Sequence, residues 1–192
     1  MSNYSSFLFI PANKSRYFYN EDINEADALI VDFEDSLNCK ITEKNFDLLN
    51  TTLQDINEKN IYIRINSSYF RDIMLNMNLE LIKGIMLPKF TLSEANIRIL
   101  KEINNIGKEI LILIESPRGI LDLRDTLDKF KVDGIFFGSE DYITNINAIR
   151  NCTNLFYPRA NIINISKAYN ISCYDTIFPN LKDETGFNKE VD

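Results

Sequence analysis

ILILIESPRG, residues 110–119, decides how the fold is read. Its apolar residues run without a break, as in a strand covered on both faces. A carboxylate, Glu115, then stands where burial should end. Further short apolar runs share this character: SFLFIPA, ADALIVDFED, IYIRIN, IKGIMLPKF, VDGIFFGSED and ISCYDTIFP. Longer polar segments with helical spacing separate them. Thr42 to Ile56 places Phe46, Leu49, Leu53 and Ile56 at intervals of three and four. Leu92 to Ile106 does the same with Ile97, Leu100 and Ile103, and Ser93 stands where an N-cap belongs. Strand alternating with helix seven times predicts an α/β protein built on a parallel sheet.

Such a sheet is either open and doubly wound or closed into a barrel. The strand ends separate the two. Nearly every run finishes with charge: Glu34 and Asp35, Arg64, Lys89, Glu115, Asp141 just past the sixth run and Asp175 within the seventh. An open sheet needs such residues only at its switch point, whereas a (β/α)8 barrel gathers all strand ends around one mouth. The expected fold is therefore a TIM-type (β/α)8 barrel. Barrels of this kind take about 250 residues and eight strands, and here NLKDETGFNKEVD follows the seventh of the runs in a sequence of 192 residues. We expect one barrel domain over residues 1–192, truncated to about seven βα units and lacking the usual C-terminal strand and segment. Either the barrel stays incomplete, or a neighbouring subunit of a homo-oligomer covers the gap, since an exposed edge is an association hazard.

Composition narrows the function. Lys and Arg total 21 against 28 Asp and Glu, a formal charge of -7, which gives no diffuse attraction to nucleic acid or to an anionic membrane surface. FLFI is far too short for a signal-peptide core, and no later run reaches the roughly 18 apolar residues of a membrane span. The expected location is the cytoplasm. Cys39, Cys152 and Cys173 are odd in number and lack a Cys-x-x-Cys pair, which suits reduced thiols. With no histidine in the chain, His-based triads and thiolate–imidazole zinc sites are set aside. A metal site would be built from oxygen ligands, favouring Mg²⁺ or a similar hard ion.

The motifs LFIPANKSR, ADALIVDFEDS, IYIRIN, IMLPKF, LILIESPRGIL and FFGSEDY, in that order and continuing through YPRANIINISKAYNISCYDTIFPNLKDETGF, resemble the citrate lyase beta subunit family within the HpcH/HpaI aldolase superfamily. The likeness covers nearly the whole chain to about Phe187. It implies a barrel that cleaves or forms a carbon–carbon bond in citryl-, malyl- or citramalyl-CoA-like substrates with a divalent ion, releasing a 2-oxo acid. It also implies that Glu115 and Asp141 hold Mg²⁺, and that Arg64 matches the family's active-site Arg. Glu34 and Asp35 fall where the family has supporting carboxylates. Adjacent strand residues point to opposite sides, so only one of these two should face the mouth.

The chemistry suits these residue types. Two carboxylates anchor a hard cation and leave coordination sites for a substrate's carboxylate and hydroxyl oxygens. Arg64 offers a forked donor to a carboxylate or a developing oxyanion. Lys14 and Arg16, after PAN, are the expected contacts for CoA, where backbone N–H groups could also meet a phosphate. Gly138 would let a loop backbone approach the ligand closely. Lys89 reads as a charge-balancing lysine rather than a Schiff-base former, and Arg159 and Asp175 carry no catalytic expectation. The family's hydroxy-oxo-acid aldolase branch employs a His base, so the absence of His points to the acyl-CoA lyase branch. A non-catalytic or assembly subunit that retains the barrel and ligand binding is the alternative to a lyase acting on a small hydroxy acid or its CoA thioester.

Overall fold

The computed structural model describes residues 4–34, 42–56, 59–65 and 67–191. Strands occupy all seven apolar runs: β1 (Phe7–Pro11), β2 (Ala28–Asp32), β3 (Asn60–Arg64), β4 (Gly84–Leu87), β5 (Glu109–Ile114), β6 (Gly134–Phe137) and β7 (Ser172–Tyr174). They follow chain order along the sheet, and the β1–β2, β2–β3, β3–β4 and β6–β7 registers are parallel. Every residue of β2, β4 and β6 is buried, as expected of parallel strands covered on both faces. The helices are α1 (Glu43–Asp55), α2 (Phe70–Asn76), α3 (Glu94–Asn105), α4 (Pro117–Lys129), α5 (Ser139–Asn145), α6 (Cys152–Ala168) and α7 (Glu184–Val191). Between β1 and β2 the connection is made by two short 3-10 helices, Ser15–Tyr19 and Glu21–Glu25, in place of an α-helix. Among the described residues no helix is long and apolar enough to cross a membrane. Cys152 and Cys173 are free thiols; Cys39 lies outside the described residues.

The chain divides into two compact units. The first, Met1–Pro88 with Ser93–Leu111, holds β1 to β4, the first half of β5, and α1 to α3. Asn45 Oδ1 accepts from the Thr42 N–H at 3.0 Å and from its hydroxyl at 2.7 Å, fixing the start of α1. That helix buries Phe46, Leu49 and Leu53, and Phe46 stacks on Phe33 at 6.0 Å between ring centroids. Ser93 caps α3 as the sequence predicts, its hydroxyl accepting the Asn96 N–H at 3.2 Å. The buried stripe of α3 is Ile99, Leu100 and Ile103, with Ile97 only half-buried. Both isoleucines suit a helical stripe, and only packing selects between them. At the starts of the strands, the Tyr62 hydroxyl donates to Glu109 Oε2 at 2.6 Å and Lys83 pairs with Glu109 at 3.5 Å.

The second unit comprises Lys89–Leu92 with Ile112–Asp192. It holds the second half of β5, then β6, β7 and α4 to α7. Ser116 caps α4, accepting the Gly119 N–H at 3.1 Å, and Pro117 takes the first helical position, where its missing N–H costs nothing. No described residue of α7 is buried. Phe187 meets Phe178 edge-on at 5.9 Å between ring centroids. Glu190 Oε2 accepts from Arg150 Nη2 at 2.8 Å and from Arg159 Nη2 at 2.9 Å. α7 is therefore held largely by charge.

Candidate active site

In the first unit the sequence-predicted residues Glu34 and Arg64 come together at the ends of β2 and β3. Arg64 Nη1 lies 3.4 Å from Glu34 Oε2. A third member is Asp32, whose Oδ1 accepts from Arg64 Nε at 2.8 Å and from the Glu34 N–H at 2.9 Å. The parallel register explains the meeting, because Asp32 is the direct partner of Arg64 across β2 and β3. Asp32 and Glu34 are two residues apart and share a strand face, while Phe33 between them turns to α1. Arg64 keeps 9% of its surface exposed and Asp32 keeps 6%. The Arg64 guanidinium also lies over the Phe9 ring, 5.1 Å from its centroid. A buried charge of this kind needs its partners fixed, and the strand backbones supply that. Asp32 could have been found in the sequence as the acid that ends an otherwise apolar ALIV run. Asp35, the remaining candidate on this segment, lies outside the described residues.

Lys14 and Arg16 are exposed on the turn after β1. The Lys14 N–H is given to Pro11 O at 3.0 Å and the Tyr17 N–H to Lys14 O at 2.9 Å, so these amides do not face outward for a phosphate. The Lys14 and Arg16 side chains are exposed donors. Arg16 lies over the Tyr17 ring at 5.1 Å, and its hydrogen bond to the Tyr17 hydroxyl followed by its charge pulls that phenol below its usual range.

In the second unit Glu115 and Asp141 are bridged twice. Glu115 follows β5 immediately and keeps 7% of its surface exposed. Its Oε2 accepts the Lys89 N–H at 2.6 Å, and Lys89 Nζ lies 3.4 Å from Asp141 Oδ2. The second bridge is the Asn145 amide, which donates to the main-chain carbonyls of Glu115 at 3.2 Å and Asp141 at 2.9 Å. Gly138 precedes α5 and its N–H reaches Ile114 O at 2.9 Å. A Cβ on residue 138 would stand 2.5 Å from Glu115 Cγ and 2.8 Å from Glu115 Oε1. Glycine is thus required by the closeness of Glu115, a different reason from the ligand approach that the sequence suggests. Lys89 balances charge, as expected. Asn145 was not visible as a site residue, since a polar residue ending a short helix carries no distinguishing signal.

The donor set suits a hard cation in part. Glu115 and Asp141 offer oxygen only, on elements that the Asn145 amide ties together. Among the described residues no group of three or more Cys, Asp or Glu side chains could hold a metal ion alone. A cation here would draw its remaining oxygens from substrate and water.

The seven strands of the described residues, in chain order along one sheet, make a truncated TIM-like α/β fold, and carboxylates and an arginine stand at its strand ends. The sequence profile of the HpcH/HpaI aldolase/citrate lyase family matches residues 5–192, and the chain belongs to that family. It is 29% identical over 215 residues to citrate lyase subunit beta of Escherichia coli K12, covering 97% of this chain and 67% of that one. Against citrate lyase subunit beta of Haemophilus influenzae the identity is 27% over 203 residues, covering 97% and 70%. The fold is also that of the citrate lyase beta subunit of Mycobacterium tuberculosis complexed with oxaloacetate and magnesium, with a TM-score of 0.76 at 20% identity over 97% of this chain and 85% of that one. A Mycobacterium tuberculosis structure complexed with magnesium, acetoacetate and coenzyme A gives a TM-score of 0.73 at 21% identity, covering 99% and 72%.

Proposed function

We propose that the chain is a Mg²⁺-dependent carbon–carbon lyase acting on a small hydroxy acid or its CoA thioester of the citryl-, malyl- or citramalyl-CoA type, releasing a 2-oxo acid. The observation that carries this reading is the double bridging of Glu115 and Asp141, by Lys89 and by Asn145. These two carboxylates would hold the ion. When bound, Mg²⁺ supplies a Lewis acid to the substrate's hydroxyl and carboxylate oxygens. In the cleavage direction the bond between the carbinol carbon and the carbon next to the acyl group breaks. Its electron pair passes to the acyl fragment as an enolate, the hydroxyl proton passes to a base as the carbonyl forms, and a proton returned to the enolate carbon completes the acyl product.

Arg64 is assigned the grip on a substrate carboxylate or on developing negative charge, through donors set in a plane. Asp32 and Glu34 orient that fork. Glu34 and Asp35 remain the supporting carboxylates of β2, Glu34 acting through its hold on Arg64. Lys14 and Arg16 are assigned the phosphates of a CoA thioester, and Gly138 the space that seats Glu115.

The test is thermal unfolding with Mg²⁺ together with oxaloacetate or pyruvate. A ligand at one hundred times its Kd stabilises by about 2.7 kcal/mol, which reads as an upward shift of several degrees. Glu115→Ala should abolish it. The reading fails if the wild-type chain shows no shift, or if Glu115→Ala shifts equally. Turnover of citryl-CoA, malyl-CoA and the free acids then sorts the substrates.

A further inference from the structure

Lys89 touches both carboxylates of the pair from a backbone conformation that residues with a β-carbon rarely adopt. Its φ is +46°, and a left-handed turn at such a residue persists where the surroundings over-determine it. Here they do. The Lys89 N–H is held by Glu115 Oε2 at 2.6 Å, the Phe90 N–H by Leu113 O at 3.0 Å, and the Leu92 N–H by Asp122 Oδ2 at 2.9 Å. Gly119 closes the fit, since a Cβ there would stand 2.6 Å from Phe90 O. Fastened at these points to β5 and α4, the strap of residues 89–92 fixes the direction in which the Lys89 side chain leaves. That side chain ends with Nζ 3.4 Å from Asp141 Oδ2, both side chains about half exposed, at 56% and 43%. A solvated pair of this kind adds little to stability, so stability does not account for a strained and triply fastened strap.

We propose that Lys89 is an internal competitor for the divalent ion. Its ammonium and the ion share the Asp141 carboxylate, so the ion loads by displacing the ammonium. The Lys89 N–H meanwhile stays on Glu115 Oε2 and leaves Oε1 on the Gly138 side. The arrangement lowers affinity for the ion in exchange for a carboxylate pair whose repulsion is balanced at every stage. This inference rests on the Glu115 and Asp141 reading above.

The experiment is Mg²⁺ titration by calorimetry and Mn²⁺ titration by electron paramagnetic resonance, on the full chain. The forms compared are wild type, Lys89→Met, Lys89→Gly, Glu115→Gln and Lys131→Met. Lys131 pairs with Asp133 at 3.0 Å and controls for the loss of one positive charge. Lys89→Gly takes the left-handed turn without penalty and keeps its N–H, so it guards against a misfolded Met form. Both Lys89 variants should bind either ion about five- to tenfold more tightly than wild type, the effect of removing one solvated charge near a carboxylate. Lys131→Met should stay within about twofold, and Glu115→Gln should not bind. Equal or weaker binding by both Lys89 variants, with wild type still binding through Glu115, overturns the competition and leaves the proposed site standing. If no form shows Glu115-dependent binding, both readings fall together.

Discussion

Gly138 and Glu115 stand so close that a β-carbon on the first would lie 2.5 Å from Cγ of the second. Glu115 cannot simply swing aside, because its Oε2 is held by the Lys89 N–H. Gly138→Ala should therefore displace the carboxylate and cost about 1–3 kcal/mol. The Mg²⁺-dependent thermal shift should disappear even where circular dichroism shows the fold retained. A Gly138→Ala protein with the full Mg²⁺ response would show that Glu115 has room to spare.

Asn145 predicts a different signature. Its amide serves the carbonyls of both Glu115 and Asp141, and Asn145→Asp keeps the shape while presenting an acceptor to two acceptors. Chemical denaturation should register a loss of about 1–3 kcal/mol. Divalent-ion affinity should fall with it, since the carboxylate-bearing segments are no longer tied. Unchanged affinity would separate Asn145 from the site.

At Arg64 the expected effect is on the fold itself. Asp32 and Glu34 keep 8% of their side chains exposed beside it. Arg64→Met would leave buried carboxylates without their counter-ion, at about 3–5 kcal/mol measured by urea unfolding. Arg64→Lys should lose less stability, yet it lacks the planar fork that holds Asp32 and that we assign to the substrate. A Lys variant with wild-type turnover would remove the assigned grip.

Glu190 ties stability to pH. Burial alone would push this carboxyl up, but hydrogen bonds from Arg159 and Arg150, and then their charges, hold it below its usual range. A carboxylate whose folded pKa is depressed adds stability that is present above its unfolded value, about 4.3, and is lost as pH falls through the folded one. The stability gap between wild type and Glu190→Gln should hold from neutral pH down to about 5 and then close on further acidification. Limited proteolysis near α7 should accelerate in the variant at neutral pH, because no described residue of that helix is buried. A gap that does not narrow on acidification would mean that packing, rather than charge, holds the helix.

Much of the scaffold was legible because burial on both faces leaves uninterrupted apolar runs, and each of those runs became a strand. Glu34 and Arg64 were each legible as strand-end charge, but not as partners of one another. Asp32 was passed over although it ends the apolar ALIV run, because what gives it its partner is register: it faces Arg64 across β2 and β3, and register is invisible along one strand. Asn145 was hidden for a related reason, since its two acceptors are carbonyls that every residue possesses. The requirement for Gly138 was visible, but its crowding by the Glu115 side chain was not. The first connection became short 3-10 turns where the alternation predicted a helix.

Residues 89–92 belong with the second unit although β4 before them and α3 after them belong with the first. No single cut in the polypeptide can therefore separate the second unit whole from the first. A fragment beginning at Ile112 would carry Glu115, Asp141, Gly138 and Asn145 intact, yet it would lack the amide that orients Glu115 and the ammonium facing Asp141. A fragment beginning at Lys89 would keep both of these groups, with Ser93–Leu111 of the first unit carried along.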